Sequence, residues 1–177
     1  MLSCGTSVEK PIIRINKKIA MKDILIAKIK EQPEAKSIQT KSGTIEDFIQ
    51  DISQEPTPSP IVSLEDFFEG NSDLGSIGCN LIPHPGIDKF YQVLKEIRSK
   101  ENVQDVFVEI YNIDDEYADW PFAEIIYIIT DADIKKVTKW IKPLKPDEVM
   151  EGWSSGKPPT KAPDIKDGYK VFHAWWD

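Results

Sequence analysis

The hydrophobic pattern of the chain is clearest in two neighbouring segments, which it predicts to be strands. Residues 103–111 alternate between apolar and polar side chains, as is typical of a half-buried strand. The apolar side consists of Val106, Val108 and Ile110. Residues 122–130 are almost uniformly apolar and rich in isoleucine, which indicates a central strand covered on both faces. The two strands would pair as a hairpin, with a connecting loop of about ten residues that is longer than usual.

Helical spacing of apolar residues predicts one helix before this hairpin and one after it. In residues 87–99 the apolar side chains fall on one face, at intervals of three and four. Residues 133–141 repeat this pattern, and Pro143 ends the helix. A shorter helix is predicted at residues 64–70, where Ser63 begins a sequence close to a capping box.

Shorter apolar runs at residues 76–82 and 169–176 indicate a first and a last strand. With them, the order strand, helix, strand, strand, helix, strand predicts an α+β fold of the ferredoxin-like βαββαβ type. Such a fold is a sandwich in which an antiparallel sheet carries two helices on one face. The first strand has the weakest pattern, and without it the class is still α+β. We therefore assign residues 61–177 to one α+β domain.

Residues 1–60 are predicted to form a partly flexible N-terminal extension with one or two short helices. Residues 17–30 place isoleucines among lysines, and their period fits either a short basic helix or a strand. Thr44 can cap a helix over residues 45–52. Residues 54–60 contain three prolines and are expected to be an extended linker to the domain.

The charge of the chain narrows the classes of partner. The 30 acidic residues outweigh 22 basic ones and give a formal net charge of -8. Such a charge repels phosphate backbones, so we expect no nucleic-acid partner, whereas a basic protein would be attracted. The alternative explanation is that the charge serves ordinary solubility.

Cysteine usage and hydropathy favour a cytoplasmic protein. The two cysteines, Cys4 and Cys79, are too few for a disulfide framework, and a reducing compartment fits them better than secretion. No segment approaches the roughly 20 consecutive apolar residues of a membrane span. We therefore expect a cytoplasmic monomer or homodimer that makes no membrane contact.

The loop of the predicted hairpin is the best-defined candidate contact surface. Four carboxylates precede a tryptophan and a proline there, and aromatic side chains lie among them. Carboxylates steer a basic partner, and Tyr and Trp are common interface anchors. The predicted contact residues are Asp114, Asp115, Glu116, Tyr117, Asp119 and Trp120. The alternative is a solvated loop in which Trp120 packs back onto the sheet.

Metal and cofactor chemistry is not predicted. An EF-hand would need glycine where Tyr117 stands and glutamate where Ala123 stands, so the acidic loop does not fit this kind of calcium site. Two cysteines and two histidines are too few and too scattered for a structural zinc site. The glycines do not form a phosphate-binding motif, so we expect no cofactor.

An alternative hypothesis places an enzymatic or small-ligand site in residues 75–86, which contain Cys79 and His84. A thiolate beside an imidazole and an orienting carboxylate is an arrangement for nucleophilic catalysis. However, a cysteine between Gly78 and Asn80 in a strand-like run is more often a small buried apolar residue. No catalytic residue is therefore assigned.

Several short motifs together resemble a bacterial family of small uncharacterised proteins. They are SLEDFFEGN, GSIGCNL, WPFAE with YIIT, PDEV with EGW, and the final WWD. The resemblance covers residues 61–177 and implies no activity and no catalytic residue. In size, acidity and α+β form the chain also resembles immunity proteins that neutralise bacterial toxins, which is a likeness of class and not of motif.

The leading hypothesis is a non-enzymatic cytoplasmic domain, immunity-protein-like in role, whose acidic hairpin contacts a basic protein. The alternative is a small-ligand-binding or hydrolytic enzyme with its site near Cys79 and His84. A third hypothesis is an assembly subunit that pairs through a sheet edge.

Overall fold

The centre of the structure is an antiparallel sheet. In the residues described by the computed structural model, which are 9–39, 57–113 and 119–177, five strands form this sheet. They are β1 (Ile61–Ser63), β2 (Val103–Asn112), β3 (Phe122–Thr130), β4 (Glu148–Glu151) and β5 (Lys170–Trp175). Their order is β1-β2-β3-β5-β4, and every neighbouring pair is antiparallel. The final strand is therefore inserted between β3 and β4.

The predicted hairpin is present as β2 and β3. Their ladder runs from the pair Val103 and Thr130 to the pair Asn112 and Phe122, with register shifts toward the loop end. β3 lies in the middle of the strand order, with buried clusters on both sides, as its continuous apolar sequence predicts.

Helices cover one face of this sheet. They are α1 (Glu9–Lys30), α2 (Ala35–Gln39), α3 (Leu64–Phe68), α4 (Ile87–Arg98) and α5 (Ile134–Ile141), with 3-10 turns at Leu74–Ser76 and Lys142–Leu144. α3 begins at the predicted cap, because Ser63 Oγ accepts a hydrogen bond of 3.1 Å from the backbone N–H of Asp66. α5 begins where Asp133 accepts the N–H of Lys136 at 2.8 Å. The predicted helices of the domain are confirmed.

The main core lies between the helices and the sheet. It contains the apolar side of β2 and the inner face of α4, including Phe90 and Leu94. A second, smaller cluster lies on the opposite face, where Tyr127, Ile129 and Val171 are covered by part of the irregular segment 152–169. The α+β class, with helices on one face of an antiparallel sheet, is confirmed.

The strand order differs from the ferredoxin-like prediction. The segment 76–82 is not a strand, because Gly78 has a positive φ of 61° and the chain turns there. The first strand is instead β1, before α3, and it pairs directly with β2. A short edge strand, β4, lies between α5 and the last strand, where the sequence predicts no strand. A simple βαββαβ order is therefore not confirmed.

The N-terminal segment packs against the sheet domain. The basic segment 17–30 is part of α1, so the helical alternative is the correct one. Leu25 and Ile29 of α1, together with Ala35 and Ile38 of the α2 helix, are buried in the main core. The predicted helix at 45–52 lies outside the described residues.

The turn between α1 and α2 connects this helical segment to the edge of the sheet. Gln32 pairs its side-chain amide with the backbone of Ile61, donating to the carbonyl at 2.9 Å and accepting the N–H at 3.2 Å. Within the described part of the chain, no helix combines the length and the apolar sequence needed to cross a membrane.

Candidate functional site

The base of the acidic hairpin, which we call its foot, is held by one buried residue on each side of the loop. Asn112 and Phe122 form the last pair of the ladder. Beyond them, Ile113 is buried on the outgoing limb and Trp120 on the returning limb. The indole N–H of Trp120 donates a 2.8 Å hydrogen bond to the carbonyl of Phe67 in α3. Both ends of the acidic segment are therefore fixed to the helix layer.

The predicted contact residues do not share one environment. Asp114, Asp115, Glu116 and Tyr117 lie outside the described residues. The Asp119 side chain is 79% exposed. Trp120 is 1% exposed, so its ring packs in the core and is not offered to a partner. This is the alternative interpretation of Trp120, and it removes that ring from the candidate contact surface.

Carboxylates of the neighbouring segment extend the negative surface beyond the hairpin. Asp73 accepts the backbone N–H of Asp119 at 3.1 Å, which links the two segments. Glu69 is exposed after α3 and accepts the hydroxyl of Tyr91 at 3.2 Å. Asp66 lies in α3 itself. We call Asp66, Glu69, Asp73 and Asp119 the acidic face.

Glu65 stands next to this surface but is neutralised. Both terminal guanidinium nitrogens of Arg98 donate to its carboxylate, one of them at 2.8 Å. These hydrogen bonds hold the pKa of Glu65 at about 2, well below its usual range. The pair joins α3 to the end of α4, so Glu65 acts as a cross-link and not as part of the acidic face.

Basic side chains of α1 already contact the acidic face. Lys18 Nζ lies 3.3 Å from Asp119 Oδ2 and 3.0 Å from Ser72 Oγ. About three turns further along α1, Lys28 Nζ lies 2.6 Å from Asp66 Oδ1. These contacts show that the acidic face accepts lysine side chains presented by a helix.

An open groove lies along this contact. It has a volume of about 480 Å³ and is lined by Lys17, Lys18, Met21, Glu69 and Gly70. Gly70 has a φ of 81°, and a Cβ atom at this position would lie 2.9 Å from Met21 Sδ. The glycine therefore provides both the turn after α3 and the close approach of α1.

The alternative site at Cys79 and His84 is not arranged for catalysis. Cys79 is exposed in a turn, contrary to the prediction of a buried residue. His84 accepts the N–H of Gly86 on Nδ1 at 2.9 Å, and its Nε2 donates to the carbonyl of Ile77 at 2.8 Å. Because both ring nitrogens bind the backbone, the imidazole of His84 stabilises the loop conformation and is not free to act as a base for the Cys79 thiol.

A buried polar cluster on the other face of the sheet was not predicted. Glu109 of β2 is only 8% exposed and accepts the hydroxyl of Tyr127 and, at 2.9 Å, that of Ser154. Burial, followed by the charge of Glu109, raises the pKa of Tyr127 above its usual value. His173 Nδ1 donates to the carbonyl of Gly152 at 2.7 Å. These bonds fasten the segment 152–169 onto the sheet.

Among the residues that the structure describes, no group of three or more His, Cys, Asp and Glu side chains is placed to hold a metal ion. The acidic face beside the hairpin is the strongest candidate site, because its exposed and half-buried carboxylates adjoin the firmly held foot of the hairpin.

Comparison with known proteins places the chain in a family. A family model described as the Uncharacterized protein YfbO family matches residues 43–174. The chain belongs to this family. The resemblance to an uncharacterised bacterial family that the sequence motifs indicated is therefore confirmed. No solved structure matches this YfbO-family chain.

A curated relative supports the assignment. The Uncharacterized protein YfbO of Escherichia coli (strain K12) is 41% identical over 128 residues, which cover 72% of this chain and 89% of the relative. The family match includes the hairpin and the acidic face but begins after α1 and α2. In this YfbO-family chain the candidate site thus lies within the matched residues, while the helix that contacts it lies outside the family match.

Proposed function

We propose that this YfbO-family chain is a non-enzymatic, cytoplasmic protein-binding domain with an immunity-protein-like role. Its acidic hairpin and the adjoining acidic face contact a basic protein partner. The observation that carries the proposal is the firmly held foot of the hairpin, where Ile113 and Trp120 are buried on either side of the acidic segment. A contact loop with fixed ends loses less conformational freedom when it binds.

The charge distribution supports the same function. The acidic face continues the negative sequence of the hairpin through Asp119 and Asp73, which are linked by a backbone hydrogen bond. The whole chain carries a net charge of -8, so a basic protein would be attracted before contact. Lysines are also the residues that this face already accepts from α1.

A charge-reversal variant tests the contact surface. In the full-length chain, Asp114, Asp115, Glu116 and Asp119 are replaced by lysine, and proteins captured from a bacterial lysate are quantified by mass spectrometry. We expect the specifically captured basic protein to fall at least about tenfold, because attraction becomes repulsion at the contact. A matched control reverses four exposed carboxylates elsewhere, Glu96, Glu101, Glu148 and Asp167.

The comparison of the two variants decides the outcome. Loss of capture in the hairpin variant alone supports the proposal, since both variants have the same net charge. Equal loss in both would mean that only the overall charge matters, and unchanged capture in the hairpin variant would contradict the proposed contact.

The immunity-like role has its own test. The chain is co-expressed with the product of the gene next to it in a bacterial host, and growth is followed. We expect the wild-type chain to restore growth that the neighbouring product suppresses, and the hairpin variant to fail. A neighbouring product that does not affect growth would remove the immunity-like role and leave the binding function to the capture experiment.

A further inference from the structure

The acidic face and the α1 helix that lies on it belong to different parts of the chain. The residues matched by the family model begin at 43 and include the acidic face, whereas α1 (Glu9–Lys30) precedes them. Yet α1 inserts Leu25 and Ile29 into the main core, where they are 1% and 0% exposed. Without α1, the matched residues would therefore expose the apolar surface that Leu25 and Ile29 cover. We call this surface the apolar seat.

The side of α1 that faces the domain has a regular composition. Lys18, Met21, Leu25, Lys28 and Ile29 follow one another at intervals typical of one helical face. The apolar side chains of this face pack against the main core, and the two lysines pair with Asp119 and Asp66. From Lys18 to Lys28 this face covers about 15 Å of helix. It thus consists of an apolar stripe with a basic residue near each end.

The domain surface matches this face of α1. Gly70 allows the backbone of the turn after α3 to approach Met21, since a Cβ there would come within 2.9 Å of the sulfur. Phe68 of α3 belongs to the same buried cluster as Leu25 and Ile29. The carboxylates of Asp66 and Asp119 then lie at the two places where α1 presents its lysines.

We infer that the acidic face and the apolar seat beside it form a helix-binding groove, and that the partner it fits is a basic amphipathic helix. In this chain α1 occupies the groove from within the same molecule, so an external helix of this kind competes with α1. The inference rests on the proposed function in one respect, since it specifies the form of the basic partner.

The experiment uses the full chain with a protease site placed in residues 40–43, between α2 and the rest of the family match. After cleavage, a fluorescent peptide of residues 9–39 is added, and its incorporation is measured by anisotropy while circular dichroism follows the fold. We expect saturable incorporation that weakens as salt is added. Incorporation of the peptide requires that the cut segment leaves the groove while the remaining domain keeps its secondary structure.

Matched peptide variants test the recognition. Lys28→Glu should weaken incorporation about five- to tenfold, because an ion pair is replaced by a like-charge contact. Lys30→Glu, an equal charge change on an exposed residue of the same turn, should alter it less than about twofold. Asp66→Lys in the domain should restore binding of the Lys28→Glu peptide.

A second probe asks for a helix that is not α1. An alanine-based peptide that carries only the Lys18, Met21, Leu25, Lys28 and Ile29 side chains at their spacing should displace the fluorescent peptide. The same peptide with both lysines changed to glutamate should not.

Several results would overturn the inference. They are a cut segment that never exchanges, unfolding of the domain when the segment leaves, and equal effects of Lys28→Glu and Lys30→Glu. The first two would make α1 a permanent part of the core. If any of these is found while capture in the lysate experiment still depends on the hairpin carboxylates, the inference fails and the proposed function stands.

Discussion

Glu109 is a buried charged side chain and therefore needs hydrogen-bond donors around its carboxylate. It lies on the sheet face opposite the helices and is 8% exposed. A buried carboxylate without partners costs several kcal/mol, so hydrogen-bond donors are needed around it. The hydroxyls of Tyr127 and Ser154 supply two of them. Because Ser154 belongs to the covering segment 152–169, satisfying the charge also holds that segment in place.

The tyrosine in this cluster should make stability depend on alkaline pH. Burial beside Glu109 raises the folded-state pKa of Tyr127 above the ordinary value of 10.0. A raised pKa contributes stability that is fully present below pH 10 and is lost as the pH rises, because the unfolded chain ionises first. Above that value the free energy of unfolding should fall by up to about 1.4 kcal/mol per pH unit from this group.

The measurement is urea unfolding at several pH values between neutrality and the alkaline limit. Tyr127→Phe should lower the free energy of unfolding by about 1–3 kcal/mol at neutral pH, since Glu109 loses a donor. The difference from the wild type should then shrink above pH 10. Tyr111→Phe, an exposed position on the same hairpin, is the control and should run parallel to the wild type. A difference that stays constant with pH would contradict this account.

Single-residue environments were only partly predictable. The acidic run before Trp120 could be read directly, but the destination of the indole depends on Phe67, which is far away in sequence. Glu109 alternates correctly with Val108 and Ile110, and that pattern predicts a polar face. The face is covered because segment 152–169, which has no periodic pattern of its own, folds across it.

At the level of elements, the turn after α3 determines how close α1 can come. Gly70 has a positive φ, which only glycine adopts readily, and it faces Met21. Gly152 also has a positive φ, but a Cβ atom built there would have no neighbour within 4 Å. A substitution at Gly70 therefore adds both backbone strain and a clash with α1, whereas a substitution at Gly152 adds backbone strain alone.

A double-mutant cycle should detect this packing. Gly70→Ala combines backbone strain of about 1–2 kcal/mol with a clash against Met21. In a Met21→Ala background the clash is removed, so the same substitution should cost about 0.5–1 kcal/mol less. Urea unfolding of the two single variants and the double variant measures the coupling. Gly152→Ala should show the strain without coupling to Met21→Ala, and additive effects at Gly70 would contradict the proposed contact.

Long elements could be predicted from the sequence and short ones could not. β2, β3, α4 and α5 have enough residues for their period to appear, and the observed bounds differ from the predicted ones by about one residue. β1 has three residues and β4 has four, which is too short for any period. The strand order follows from how these short strands pair, so the ferredoxin-like order could not be corrected from the pattern alone.

At the scale of the whole molecule, the two edges of the sheet are treated differently. At the β1 edge, the side chain of Gln32 pairs with the backbone of Ile61 and takes the place of a neighbouring strand. At the other edge, β4 is the last strand in the order of the described sheet. It carries Glu148 and Glu151, with the partly exposed Met150 between them. Charged side chains on an edge strand oppose pairing with a second sheet.

Removing these charges should convert the edge into an interface. In the variant Glu148→Thr, Glu151→Thr, the edge keeps its backbone groups and Met150 but loses two charged side chains, of which Glu151 is paired with Lys170 of β5. We expect its mass, measured by sedimentation across a concentration series, to rise toward that of a dimer while the wild type stays monomeric. The variant Glu96→Thr, Glu101→Thr removes the same charge away from the sheet and should stay monomeric. Association of both variants would assign the effect to net charge, and a monomeric edge variant would show that these two carboxylates do not protect β4.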